Sequence, residues 1–360
     1  MSYLFNIQTC LPAYQLSQIE LGHYMSEQYD FTEIEKAKLM LMYQRSGIDY
    51  RHSCLPDFHL AESQKELFIN QEEPSVSKRM ESYFKHALPL ASKAAQGSLQ
   101  EEKISHLISV SCTGMAAPGL DLMLVETLNL PANIHRSSVN FMGCYAYFHA
   151  LKIADAYCQS DPNACVLIVS VELCTLHFNK AKDTDQIAAN LLFADGAAAC
   201  LVSAKKPNHN SYFTIDSFYS KIVTQGKSDM AWSIHETGFL MTLSAYIPQI
   251  LQSAIKPIIE EALLKNNTSI TSIQHWGIHP GGRKILDYLS AELGLSQTDL
   301  RASYEVLKQV GNLSSSTILF VLENILKRDG YLPNQACFTA GFGPGLTVET
   351  MLLNQPKYSA

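Results

Sequence analysis

The sequence predicts an α/β fold built as two halves of similar size. Three observations predict it. Short apolar runs such as ISHLISVS (104–111) and CVLIVSVE (165–172) have the character of strands in a sheet covered on both faces. Helical stretches lie between such strands. The strand–helix–strand pattern then recurs after KKPNHNS (205–211), a polar, turn-rich segment and the best boundary candidate. The chain therefore divides into residues 1–205 and 206–360, and two such halves suggest a duplicated core.

The elements follow in order. Residues 33–47, EIEKAKLMLMYQRSG, have helical periodicity and end on Gly47, a fitting C-cap. After the strand at 104–111 come helical stretches at 119–128 and 144–158, then the strand at 165–172. FADGAAACLV (193–202) reads as a turn followed by a strand. The second half reads as a strand at 213–219, a long helix at 243–265 and a strand at 273–279. A helix at 314–328 and a strand at 336–341 complete it.

Composition narrows the function classes. Hydrophobic residues make up 47% and charged residues 17%, so the chain folds rather than staying disordered. Net charge is −7 with no Lys/Arg-rich block, which argues against nucleic acid as a partner. No apolar run of membrane-spanning length occurs, and MSYLFNIQTCLPAY lacks signal-peptide character, so a cytoplasmic protein is expected. The nine cysteines show no CxxC pair and no zinc-finger spacing; reduced, core-packed thiols are expected. Nothing calls for a metal, a redox nucleotide or haem.

Three polar residues stand out. Cys144 follows Gly143 and opens a helical stretch, where the helix dipole and free N–H groups favour a thiolate. His279 ends a short apolar strand before Pro-Gly-Gly, a position where α/β proteins place chemistry. Asn312 precedes three serines and an apolar helix; by itself it reads as an N-cap. The order Cys, His, Asn, with the first two 135 residues apart, also fits a papain-like protease, but the CG[SA]C[WY] signature is absent. The other reading is carbon–carbon bond formation on thioesters. The thiolate takes an acyl group, a malonyl thioester loses CO2, and His and Asn donate hydrogen bonds to the enolate oxygen. A carboxylate at either position would repel that charge.

Five motifs are spread over the chain: GC at 143–144, LFADGAA at 191–197, HPGG at 279–282, GNLSS at 311–315 and GFGPGLTVET at 341–350. With them the chain resembles the type III polyketide synthases, the chalcone- and stilbene-synthase-like enzymes of the thiolase superfamily. The resemblance implies a duplicated, five-layered αβαβα thiolase-like fold, a homodimer, and acyl-CoA and malonyl-CoA as substrates. It also implies that Cys144, His279 and Asn312 are catalytic, that Phe193 is a gatekeeping aromatic, and that Asp195 and Gly196 hold the adjoining turn.

The chain also departs from the family. A second gatekeeping Phe falls on Met241, and a Gly lining the elongation cavity falls on Trp232. Pocket threonines are replaced by Cys174 and His177, and pocket Thr and Met by Cys112 and Ala117. Thr113 and Ser314 are read with these as substrate-binding. Tyr147 stands where many members have Gly. Bulky Trp232 and His177 point to little room for elongation, while small Ala117 and Cys112 point to space in another direction. An aliphatic starter, few extensions, and alkyl pyrone or resorcinol-type products are expected. Lys38, Arg45 and Lys284 match or neighbour basic CoA-binding positions, and one family arginine falls on Leu41. A single-condensation ketoacyl synthase and a silent thiolase-fold partner subunit remain as alternatives.

Overall fold

A computed structural model describes residues 1–58, 62–69, 72–99, 102–208, 211–244, 246–329 and 334–355. In chain order the first half contains β1 (Ser2–Cys10), β2 (Tyr14–Ser17), α1 (Gln18–Gln28), α2 (Glu33–Arg45) and β3 (Tyr50–Ser53). It continues with α3 (Val76–Ser98), β4 (His106–Ser111), α4 (Leu120–Thr127), β5 (His135–Asn140) and α5 (Ala146–Ser160). β6 (Cys165–Leu173), α6 (Thr184–Leu192) and β7 (Asp195–Ser203) end it. The second half contains β8 (Tyr212–Ile222), β9 (Met230–His235), β10 (Gly238–Leu243), α7 (Ile247–Leu264) and β11 (His275–Ile278). α8 (Arg283–Leu293), α9 (Arg301–Val310), α10 (Thr317–Asp329), β12 (Gln335–Gly343) and β13 (Thr347–Gln355) follow.

Nine strands form one continuous sheet in the order β11-β12-β13-β8-β1-β7-β6-β4-β5. Two stretches of it repeat one pattern. β4 pairs parallel with β6, which pairs antiparallel with β7, which pairs antiparallel with β1. β11, β12, β13 and β8 repeat that sequence of pairings. The two stretches join where β1 pairs antiparallel with β8, from Ser2 opposite Ile215 to Phe5 opposite Tyr212.

The strands are apolar on both faces because both faces are covered. β6 sends Leu167, Val169 and Val171 into one apolar cluster and Val166 and Ile168 into another. The second of these clusters is the central layer. There α5 and α10 each touch strands of both stretches, α5 against β6 and β13, α10 against β1 and β11. α3 covers the outer face of the first stretch, and α7 lies on the outer face of the second with α8 packed against it. The result is five layers, helices–sheet–helices–sheet–helices.

The sequence-predicted elements are all present, with shifted ends. α2 starts at a capping box, Thr32 with Glu35, and Gly47 follows its last turn at φ +79°. The segment 205–211 lies between β7 and β8, with residues 209–210 outside the described ones. Tyr147, where the resemblance expects Gly, is fully buried in the central layer with its hydroxyl 3.1 Å from Cys200 Sγ. Among the described residues no helix is long and apolar enough to cross a membrane.

Candidate active site

Cys144 lies just before α5, in the turn that leaves β5. That turn is tight: Phe141 adopts φ +60° and Gly143 φ +85°. A Cβ on Gly143 would come within 2.3 Å of Pro344 Cδ, so only glycine lets the GFGPG segment lie against the cysteine loop. Gly341 does the same one turn further on, where a Cβ would meet Phe148 of α5 at 2.5 Å. These close approaches explain why two motifs 200 residues apart in sequence carry glycine together.

The Cys144 thiol is buried, and burial pushes it up to about 12. Hydrogen bonding to Ser314 pulls the other way, the charge of Glu172 adds to the rise, and a hydrogen bond to the Asn312 side chain lowers it again. The thiolate expected at a helix start is therefore not the resting state; desolvation outweighs the hydrogen bonds that oppose it. Ser314 reaches the thiol from a left-handed backbone conformation, φ +49°, uncommon outside glycine.

Asn312 is held through its main chain and side chain together. Its N–H donates to Leu192 O and its carbonyl accepts from Ala194 N, locking it beside Phe193. Its Oδ1 accepts from Ser314 N at 2.9 Å, and its Nδ2 donates to Gly281 O at 3.3 Å. Gly281 follows His279 by two residues and donates its own N–H to the His279 carbonyl. The GNLSS and HPGG loops are thus tied side by side. His279 is 1% exposed, yet among the described residues neither ring nitrogen has a hydrogen-bond partner. Burial lowers it to about 3, so the ring is neutral. His279 makes no hydrogen bond to Cys144 in the resting site, where Ser314 and Asn312 hold the thiol.

A cavity of about 20 Å³ faces Cys144. Of the residues expected around it, Cys112, Thr113, Cys174, Phe193, Trp232, Met241 and Ser314 line it. Trp232 and Met241 stand opposite each other across the β9–β10 hairpin, so the two departures from the family pattern form one wall. The Trp232 indole N–H donates to Cys112 O at 2.8 Å. Cys112 accepts from Gly143 N at 3.0 Å and braces the cysteine loop rather than opening space.

Two expected pocket residues lie elsewhere. Ala117 is exposed in the loop after β4 and lines a separate surface pocket with Met115 and Leu120. His177 is buried behind Trp232, its ring stacked on Phe239 at 4.2 Å. Its Nε2 bonds Thr113 O and its Nδ1 accepts from Phe239 N, so backbone groups use both nitrogens. Asp195 accepts from Cys54 N and from Thr175 N and Oγ1, tying the start of β7 to the segments that follow β3 and β6. Lys38, Arg45 and Lys284 are exposed. The end of α2 abuts the start of α8, since a Cβ on Gly47 would sit 3.0 Å from Arg283 Cδ.

Sequence reasoning missed two residues. Glu172 is fully buried on β6 and accepts from Cys112 N, from Thr113 Oγ1 at 3.0 Å and from the Ser315 hydroxyl and amide. Burial raises its carboxyl despite these donors. Its signal was legible: one carboxylate inside a strand that is apolar but for Ser170. Arg51 donates through Nη1 to the carbonyls of Asn190 and Phe193 and fixes the Phe193 turn; nothing local in the sequence marks it.

A buried cysteine held by a serine and an asparagine, a neutral histidine with open nitrogens, and an apolar cavity over the thiol meet at one place in the fold. Comparison with known proteins identifies the family. Residues 1–206 match the N-terminal domain of the chalcone and stilbene synthases, and residues 214–356 match their C-terminal domain. The chain belongs to this family and is a type III polyketide synthase, a malonyl-CoA-dependent acyltransferase. It is 31% identical to the alpha-pyrone synthesis polyketide synthase-like Pks18 of Mycobacterium tuberculosis, over 89% of this chain and 83% of that protein. It is 27% identical to a putative chalcone synthase of Bacillus subtilis, over 99% of this chain and all of that one. The crystal structure of PKS-I from the brown alga Ectocarpus siliculosus superposes with a TM-score of 0.90 at 27% identity, covering 98% of each chain.

Proposed function

We propose that an aliphatic acyl-CoA loads Cys144 and is extended a few times by malonyl-CoA, giving alkyl pyrone or resorcinol-type products. The observation that carries this reading is the buried His279 ring with both nitrogens unpartnered, one loop from an asparagine that touches the thiol. His279 takes the Cys144 proton as the thiolate attacks the starter thioester, and the departing CoA thiolate receives a proton in turn. A malonyl thioester then loses CO2, and the N–H of His279 and the amide of Asn312 donate to the enolate oxygen. The enolate carbon attacks the acyl-Cys144 carbonyl, forming the new carbon–carbon bond and releasing the thiolate. Asn312 Nδ2 now spends itself on Gly281 O at a long 3.3 Å, a bond weak enough to exchange for the substrate oxygen.

Apolar Met241 and Trp232 on the cavity wall support an aliphatic rather than a polar starter. The small cavity supports few condensations, and a relative named for alpha-pyrone synthesis supports the pyrone. The same small cavity favours the single-condensation alternative, which product chain length separates. Lys38, Arg45 and Lys284 pair with the CoA phosphates. A second copy of the chain covers the exposed loop around Met115 and the edge strand β5.

The test is purified protein with malonyl-CoA and acyl-CoA starters from acetyl to palmitoyl, plus 4-coumaroyl-CoA, read by liquid chromatography–mass spectrometry. Masses of an aliphatic starter plus two or three ketide units, lost in Cys144→Ala, are expected. Products from the aromatic starter alone overturn the aliphatic reading.

A further inference from the structure

The Cys144 cavity has a neighbour. A second cavity of about 40 Å³ shares three wall residues with it, Cys174, Phe193 and Trp232. Beyond those side chains its wall is Leu16, Leu21 and Met25, from the end of β2 and from α1, with Phe58 and Phe178 opposite. All five belong to the apolar core of the first half. Neither Ala117 nor Cys112 borders it, so it opens in a different direction from the one the sequence pointed to.

Its polar lining is largely committed elsewhere. Thr175 donates its hydroxyl and its N–H to Asp195. Asn190 Nδ2 donates to Asn179 O and Tyr29 Oη. Arg51 spends Nε on Gln18 and Nη1 on two carbonyls, and its guanidinium lies 5.9 Å over the Tyr43 ring. Among the described residues Nη2 of Arg51 has no hydrogen-bond partner.

We propose that this second cavity is the tail pocket for the starter acyl group. The inference rests on the reading that an acyl-CoA loads Cys144. The acyl chain runs from the thioester past Cys174, between Phe193 and Trp232, and ends against Leu21, Met25 and Phe58. Five apolar side chains against one spare donor select hydrocarbon. One water needs roughly 10–15 Å³ by the same measure, so the pocket takes roughly three methylene-sized groups beyond the thioester cavity. That favours starters of roughly four to six carbons, and Met25, unbranched and flexible, sets the end of the pocket.

The experiment measures kcat/KM for CoA release from acetyl- to lauroyl-CoA, with glutaryl-CoA as a carboxylate-tailed probe, in wild type, Met25→Ala and Leu21→Trp. Far-UV circular dichroism checks folding. Each methylene gained or lost in an apolar pocket changes kcat/KM about four-fold. Met25→Ala is expected to move the optimum two or three carbons longer. Leu21→Trp is expected to lower the hexanoyl-to-acetyl ratio ten-fold or more, a ratio read within one variant and so independent of its overall activity. If Leu21→Trp does not fold, Met25→Ala decides. A wild-type ladder retained in the folded variants overturns the pocket while leaving the aliphatic starter standing. A preference for glutaryl-CoA overturns the hydrocarbon assignment, with Arg51 Nη2 as its cause. No turnover of any aliphatic starter by wild type overturns the proposed function, and the tail pocket with it.

Discussion

The resting thiol of Cys144 should react slowly, and the structure says by how much. Burial lifts it from the ordinary 9.0 to about 12, which is about 4 kcal/mol against the thiolate. At pH 8 an ordinary thiol is about one-tenth ionised and this one about one part in ten thousand. Only the thiolate is alkylated. Iodoacetamide should therefore modify Cys144 about a thousand-fold more slowly than a free thiol at pH 8, with the rate climbing about ten-fold per pH unit through pH 10. The perturbation is Ser314→Ala, which removes the largest hydrogen-bonding contribution opposing burial. Hydrogen bonds to charged groups are worth about 1.5–3 kcal/mol, so alkylation should slow roughly ten-fold or more at any pH below 10. The assay is intact-mass spectrometry with peptide mapping to isolate Cys144 from the other eight cysteines. A rate that levels off at or below pH 8 would mean that a thiolate exists in the resting enzyme and that desolvation does not dominate. Faster alkylation in Ser314→Ala would refute the role given to the serine.

Three further outcomes are expected. His177 and His279 sit at about 3 when folded against 6.5 unfolded, so between those values the unfolded chain binds the extra protons. Their contribution is complete above pH 6.5 and is lost as pH falls toward 3: about 4 kcal/mol for the pair between pH 7 and 5. Urea midpoints at pH 5, 6 and 7 check this, and a flat profile contradicts it. His279→Ala or Asn312→Ala should lower malonyl-CoA decarboxylation about 10²–10³-fold, the cost of one oxyanion donor, measured as CO2 release; unchanged rates would remove them from the mechanism. Trp232→Ala should cost about 3 kcal/mol of stability, because the side chain is large and half-buried, and should lengthen the product by one or more ketide units. Denaturation curves and product masses read both effects, and an unchanged product despite the stability loss would show that Trp232 does not limit the cavity.

The sequence alone determined much of this protein because its strongest signals are local or are enforced by close packing. β4 and β6 were legible as runs apolar on both faces, and α2 as a periodic stretch with a glycine after it. The motif glycines were legible because Pro344 and Phe148 leave no room for a Cβ at Gly143 and Gly341. Other elements were hidden by non-local causes. β1, SYLFNIQTC, reads as an ordinary N-terminus, yet it joins the two repeated stretches, because strand pairing depends on partners 200 residues away. α3 contains Pro89 and is helical because its buried face packs on the sheet.

At the site, spacing and motif named Cys144, His279 and Asn312, but tertiary structure decided their resting state. A thiol beside a helix start is expected to ionise; enclosed under Trp232, Met241 and Phe193 it does not. Ala117 and His177 were assigned to the pocket by position along the chain, whereas direction in space put one on the surface and turned the other's nitrogens to the backbone. Glu172 shows the complement: the sequence displays a carboxylate in an apolar strand, and only the fold supplies the donors from Cys112, Thr113 and Ser315 that let it be buried. The three candidate residues were legible in the sequence because each sits in a short local motif, GC, HPGG and GNLSS. Their protonation, and the room left for a substrate, came from the tertiary structure, since desolvation and cavity shape are set by side chains far apart in the chain.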